Sequence, residues 1–203
     1  MPQHRRRMSV LIVALIVAAG CSKSGVSQFR TNAPAEATAL VLERYDSNKD
    51  GKLVAGELAA SPGLVDGVGR IDANRDGGFD AAELEARFAA HDQMSDIIGF
   101  QVRITANQAP LSGATVTFIP EPFMGEGKQS YVGTTADSGM CYVSGDEVKL
   151  PGVPVGFYKV HIVHAASGAD VTRGCEVGDD MPSPNRLAFD TELSTVPTAA
   201  GRR

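Results

Sequence analysis

The chain has no tryptophan and few aromatic residues of any kind, 8 Phe and 4 Tyr in 203 residues. That scarcity argues against a carbohydrate- or base-stacking platform, which is built from aromatic faces. A cationic surplus is missing as well: 19 basic residues stand against 24 acidic ones, a net charge of −5. Without residues 1–20, which hold Arg5, Arg6 and Arg7 and no acidic residue, the balance is 16 to 24. So acidic a chain makes nucleic acid and anionic membrane surfaces poor electrostatic partners. Catalytic signatures are absent too: there is no Gly-x-Ser-x-Gly elbow, no Walker loop and no zinc-protease helix. Cysteine is limited to Cys21, Cys141 and Cys175. The length suits one or two small domains rather than a large enzyme core.

What the chain does have is one twelve-residue pattern written twice. The first copy runs DSNKDGKLVAGE, Asp46 to Glu57, and the second DANRDGGFDAAE, Asp72 to Glu83. Both copies fit a loop rule that places oxygen ligands at positions 1, 3, 5, 7, 9 and 12. In the first copy Asp46, Asn48 and Asp50 offer side-chain oxygens, Lys52 its backbone carbonyl, and Glu57 both carboxylate oxygens. In the second the set is Asp72, Asn74, Asp76, the Gly78 carbonyl, Asp80 and Glu83. Calcium takes six to eight oxygens at roughly 2.3–2.6 Å, so a single short loop must wrap almost all the way round it. Gly51 and Gly77, at position 6, permit the sharp turn. Leu53 and Phe79, at position 8, point away from the ion and can pack together if the loops lie side by side. Two carboxylates 4 Å apart repel by ~4 kcal/mol at an effective dielectric of 20, a penalty that a cation removes. An acidic solvated turn would explain one imperfect copy, but not two full ones. Over residues 34–92 the pattern resembles the EF-hand family, which implies two bound calcium ions. Dockerin repeats lack an entering helix and usually end their loops in Asp; both loops here end in Glu, favouring an ordinary EF-hand pair.

The N-terminus bears on location. A basic stretch, His4 to Arg7, precedes thirteen mostly apolar residues, Met8 to Gly20. As a helix that run would be about 20 Å long, short of the roughly 30 Å of a bilayer core. It therefore reads as a cleaved export signal over residues 1–20. Val17-Ala18-Ala19-Gly20-Cys21 resembles a bacterial lipobox, with Ala18 where Leu is commonest. The resemblance implies lipidation at Cys21 and anchoring to a membrane in the extracytoplasmic cell envelope. Ser22 after the cysteine, rather than Asp, favours the outer membrane under the usual sorting rule of such lipoproteins. Plain secretion is the alternative. In an oxidising compartment Cys141 and Cys175 are expected to form a disulfide.

Residues 21–33 are polar and aperiodic, a tether. A helix is expected from Pro34, with Leu42 and Tyr45 on one side. Two short helices should share Leu58 to Ile71, punctuated by Pro62-Gly63, with Val68 and Ile71 as their apolar anchors. A last helix, Ala81 to Gln93, buries Leu84 and Phe88 at i, i+4 spacing. Hands this compact have little groove to open, which suits a structural or buffering site better than a sensor. From Ile97 onward alternation and turn residues predict strands at 100–105, 114–119, 131–135, 141–144, 158–164, 174–177 and 186–189. Asp137-Ser138-Gly139 marks a hairpin and Pro151 to Gly156 a loop. The expected fold is α+β by segregated domains: a helical EF-hand pair over 34–95, then an all-β sandwich of about seven strands over 96–190. Residues 191–203 carry no pattern.

Pro110-Leu111-Ser112-Gly113-Ala114-Thr115-Val116, Thr134-Thr135-Ala136-Asp137-Ser138-Gly139 and Pro154-Val155-Gly156-Phe157-Tyr158-Lys159-Val160 resemble carboxypeptidase-regulatory-like, transthyretin-like domains. That resemblance implies a sandwich with Tyr158 in its core and an accessory role. Met140-Cys141 departs from the family's usual polar-aromatic pair. Some transthyretin-like proteins hydrolyse a purine breakdown product with a C-terminal Tyr-Arg-Gly-Ser tail, which the ending Thr198 to Arg203 lacks. His161 and His164, three apart on one strand, face opposite sides and cannot easily share an ion. A zinc site joining them to the two cysteines lacks close-pair spacing. His91 stands alone and is expected on the surface. The leading expectation is thus a non-enzymatic calcium-binding lipoprotein. An interaction module holding an unidentified protein or glycan is the alternative, and an enzyme site in the sandwich is the weakest reading.

Overall fold

The computed structural model describes residues 32–125, 127–146, 151–182 and 186–191. The export segment, Cys21, all but the last two residues of the tether, and the tail beyond Thr191 lie outside the described residues.

The N-terminal part is helical. Helix α1 (Pro34–Tyr45) starts with proline in its first turn, where a missing N–H leaves no bond unmade. Its buried Ala37, Val41 and Tyr45 lie four residues apart along one face. Then come β1 (Lys52–Val54), α2 (Ala55–Leu58), α3 (Pro62–Asp66), α4 (Val68–Ile71), β2 (Gly78–Asp80) and α5 (Ala81–His91). Between the two acidic loops the chain forms three short helices rather than two. Pro62 does not merely interrupt: its fixed φ suits the first turn of α3. Ile71 is buried as expected, but Val68 is 37% exposed. Asp80 caps α5 reciprocally, accepting from the Glu83 N–H at 2.9 Å while Glu83 accepts from the Asp80 N–H at 3.2 Å.

The remainder is mostly β. It runs β3 (Ile97–Ile98), β4 (Gln101–Ala106), β5 (Ala109–Pro110), β6 (Thr115–Pro120), a 3-10 turn (Pro122–Met124), β7 (Tyr131–Thr134), β8 (Met140–Cys141), β9 (Val153–Pro154), β10 (Gly156–His164), β11 (Ala169–Val177) and β12 (Arg186–Thr191). One sheet has the order β11-β10-β6-β7; a second has β12-β4-β5, with β8 also paired to β4. Alternate residues of both, among them Val102, Ile104, Val116, Phe118, Tyr158, Val160 and Ile162, belong to a single core. All seven expected strands are present in part or whole. The short β3, β5 and β9 are additional, and β12 lies parallel to β4, a pairing that no local pattern announces. Tyr158 is 2% exposed and its hydroxyl donates to the Pro154 carbonyl at 2.8 Å.

The expected disulfide is not formed: Cys141 and Cys175 are free, buried thiols. They sit in different sheets, Cys141 opposite Val102 and Cys175 opposite Tyr158. Burial pushes the Cys141 thiol up to about 11 and the Cys175 thiol higher still, so both behave as small apolar residues.

Segregated along the chain, the two parts nonetheless share a core. Phe123, from the 3-10 turn, and Phe157, from β10, lie in the helical cluster with Leu53, Leu64, Ile71, Phe79, Leu84 and Phe88. Phe88, Phe123 and Phe157 meet pairwise with ring centroids 5.7–5.9 Å apart. The burial pattern of β11 records the docking. Cys175, Glu176 and Val177 are buried in succession, because Cys175 and Val177 face the two-sheet core while Glu176 faces the helices. Gly174 lets α3 approach; a Cβ there would overlap the Pro62 carbonyl. Five helices of at most twelve residues enclose little apolar volume, and the outer face of β10–β11 completes it.

Candidate metal centre

The two acidic loops share a backbone turn and a common set of amide-to-side-chain hydrogen bonds. At position 4 Lys49 and Arg75 both take φ of 60°, and at position 6 Gly51 and Gly77 take 81° and 88°. In the first loop Asp46 accepts from the Gly51 N–H at 2.8 Å and the Asp50 N–H at 3.3 Å. Asn48 Oδ1 accepts from the Asp50 N–H at 2.8 Å. The second loop repeats this: Asp72 accepts from Gly77 at 3.0 Å and Asp76 at 3.1 Å, and Asn74 Oδ1 from Asp76 at 2.8 Å. Each loop is closed by its last carboxylate reaching back to its start. Glu57 accepts from the Ser47 N–H and hydroxyl at 2.9 Å each, and Glu83 from the Ala73 N–H at 3.1 Å. The Val54 N–H and the Ser47 bonds hold the Glu57 carboxyl below its ordinary value.

Side by side, the loops join through β1 and β2, an antiparallel ladder that pairs Lys52 with Asp80, Leu53 with Phe79 and Val54 with Gly78. Leu53 and Phe79 are both buried, so the position-8 residues pack inward as the pattern predicts. The ladder brings a cation into the second loop: Lys52 Nζ lies 2.5 Å from Asp76 Oδ2. The lysine side chain crosses Gly78, where a Cβ would strike it. This contact lowers the Asp76 carboxyl and raises the Lys52 ammonium.

As the loops stand, among the described residues no three carboxylate, imidazole or thiolate groups gather closely enough to hold a metal. Their oxygens are turned instead onto loop N–H groups. The donor chemistry nevertheless fits a hard cation. Asp46, Asn48, Asp50, the Lys52 carbonyl and Glu57 belong to one loop, and Asp72, Asn74, Asp76, the Gly78 carbonyl, Asp80 and Glu83 to the other. All offer oxygen and none offers nitrogen or sulfur.

Behind the second loop lies a charged cluster that its own residues do not reveal. Glu176 of β11 has no exposed side-chain surface. It receives Arg70 Nε from α4 at 2.6 Å, Arg87 Nε from α5, and His91 Nε2, also from α5, at 2.8 Å. Arg87 also makes a two-pronged contact with Asp180 at 2.6 and 2.9 Å. Asp66, at the end of α3, accepts from the Glu176 N–H at 2.9 Å. Burial alone would push the Glu176 carboxyl up; the His91 hydrogen bond and the charges of His91, Arg87 and Arg70 outweigh it and hold it below its ordinary value. His91 is therefore no surface residue but 5% exposed, stacked 5.1 Å from Phe157. A second buried carboxylate, Glu121, accepts from the Gly63 N–H of α3 at 3.1 Å and faces Lys159 at 3.6 Å.

His161 and His164 have separate partners, Asp170 and Ser167, each at 2.7 Å. The structure does not bring them together with the cysteines. No protein-family model matches the chain, and no curated protein matches it. The likenesses noted in the sequence rest on its own residues.

Proposed function

We propose that this is a non-enzymatic, calcium-binding lipoprotein of the bacterial cell envelope, held outside the cytoplasm by a lipid on Cys21. Its helical part is an EF-hand pair holding one ion in each loop, and its β part is an accessory, transthyretin-like sandwich. The carrying observation is the agreement of the two loops in φ at positions 4 and 6 and in their ring of carboxylate-to-amide bonds. A repeated sequence that merely formed acidic turns has no reason to close both with a glutamate at the twelfth position. When bound, calcium would neutralise the carboxylates of each loop and take over the oxygens now shared among loop amides. The chain's own share is to keep those oxygens on one side: Gly51 and Gly77 bend each loop, the β1–β2 ladder aligns the pair, and Glu57 and Glu83 close them.

Extracellular sites of this type bind with dissociation constants of roughly 10⁻⁴–10⁻³ M. A hundredfold excess of free calcium over the dissociation constant contributes ~2.7 kcal/mol per site, enough to order so small a pair. Calorimetric titration of the full chain with calcium tests the reading. Two equivalents are expected in the wild type and one each in Glu57→Gln and Glu83→Gln. Unchanged stoichiometry in both variants would refute the assignment.

A further inference from the structure

We infer that Glu176, a sheet residue far along the chain, positions the second calcium loop, so that its affinity is set by the β part while that of the first loop is not. The inference rests on the calcium reading above and goes beyond it. The second loop begins at Asp72, directly after α4, and ends at Glu83, inside α5. Its entering helix is tied to Glu176 through Arg70 at 2.6 Å, and its exiting helix through Arg87 and through His91 at 2.8 Å. Both helices flanking one loop thus converge on one carboxylate that no solvent reaches. The first loop is held differently. Its exiting helix α2 is only four residues long, and its entering helix α1 packs on α5 and the 3-10 turn, where Tyr45 feels the charge of the buried Glu121. Among the described residues its two flanking helices do not share one ion-paired carboxylate as α4 and α5 do.

Two effects act in the same direction. Fixing α4 against α5 holds the two ends of the loop at a set separation, so less ordering remains when an ion binds. Glu176 also balances Arg70 and Arg87, two cations that lie two and four residues from Asp72 and Glu83. Asp66 and Asp180 each pair with one arginine of the cluster, so loss of Glu176 removes one unit of negative charge from behind a site that takes a divalent cation. Glu121 offers an internal contrast, because it ties α3, which flanks neither loop directly.

The test reads each loop separately, using calcium alone as the probe. Glu176→Gln is placed in full chains that also carry either Glu57→Gln or Glu83→Gln, leaving one working loop in each. The calcium affinity of the second loop should fall by about tenfold, and that of the first by less than about twofold. Equal falls in both loops, or none in either, would overturn the inference while leaving calcium binding intact. A wild type that takes up no calcium would instead refute the functional reading. If Glu176→Gln does not fold, Arg70→Gln removes the α4 tie alone. A smaller fall, again confined to the second loop, is then expected, and an unselective or absent fall counts against Glu176.

Discussion

The two loops are nearly interchangeable within their twelve residues and quite different just outside them. The first hangs between α1 and the single turn of α2. The second is held between two helices pinned to one buried carboxylate, and it also carries a lysine from its neighbour on Asp76. Their donor sets differ at one place, position 9, where the second loop has Asp80 and the first Val54. A difference between the two sites can therefore come from that carboxylate as well as from packing and charge beyond the donors, as outer contacts commonly tune a metal site. Comparing each loop with itself, with and without Glu176, separates the share of the sheet from that of the donors.

That contrast can be broken most forcefully by undocking the helices. Phe157 is fully buried in the helical cluster, and Phe157→Ala should destabilise the chain by about 3–5 kcal/mol, read from denaturant unfolding. If the sheet constrains the second loop, this variant should also weaken calcium binding there more than in the first loop. A smaller effect is expected from acid. Because the folded Glu176 carboxyl lies below its ordinary value, its stabilisation is complete above the usual glutamate value of about 4.3. It is lost as pH falls below that through the lowered folded value. Unfolding curves of wild type and Glu176→Gln, followed with pH in the presence of a chelator, should therefore differ most near neutrality and converge in acid. The smallest change is expected from Lys52→Met. The ammonium competes for an Asp76 oxygen, so its loss should strengthen the second loop a few-fold and leave the first unchanged, since that loop uses the Lys52 backbone carbonyl. Titration of the single-loop chains would show it.

The loops were legible in the sequence because their chemistry is local: every proposed donor lies within twelve residues, and the position-8 pairing of Leu53 with Phe79 follows from the same count. The starts of α1 and α5 fall where the sequence places them, at Pro34 and Ala81; the structure shows proline in the first turn of one and an Asp80–Glu83 capping box on the other. The strands followed from alternation. What escaped was long-range. Glu176 sits in a strand between Cys175 and Val177, where alternation marks it as an outward, solvent-facing acid; only the docked helices bury it. His91 looked solitary because its partners, Glu176 and Phe157, lie 85 and 66 positions away. The parallel β12–β4 pair and the sharing of Phe123 and Phe157 between two cores have no local signature. The expected disulfide rested on a count of cysteines alone, which carries no distance; the fold leaves both as free, buried thiols.

The most direct measurement of the central claim is thermal unfolding of the full chain in chelator and in rising calcium. The midpoint should climb with the logarithm of free calcium once the dissociation constant is passed, reaching about 2.7 kcal/mol of added stability per site at a hundredfold excess. A midpoint identical in chelator and in millimolar calcium would contradict it.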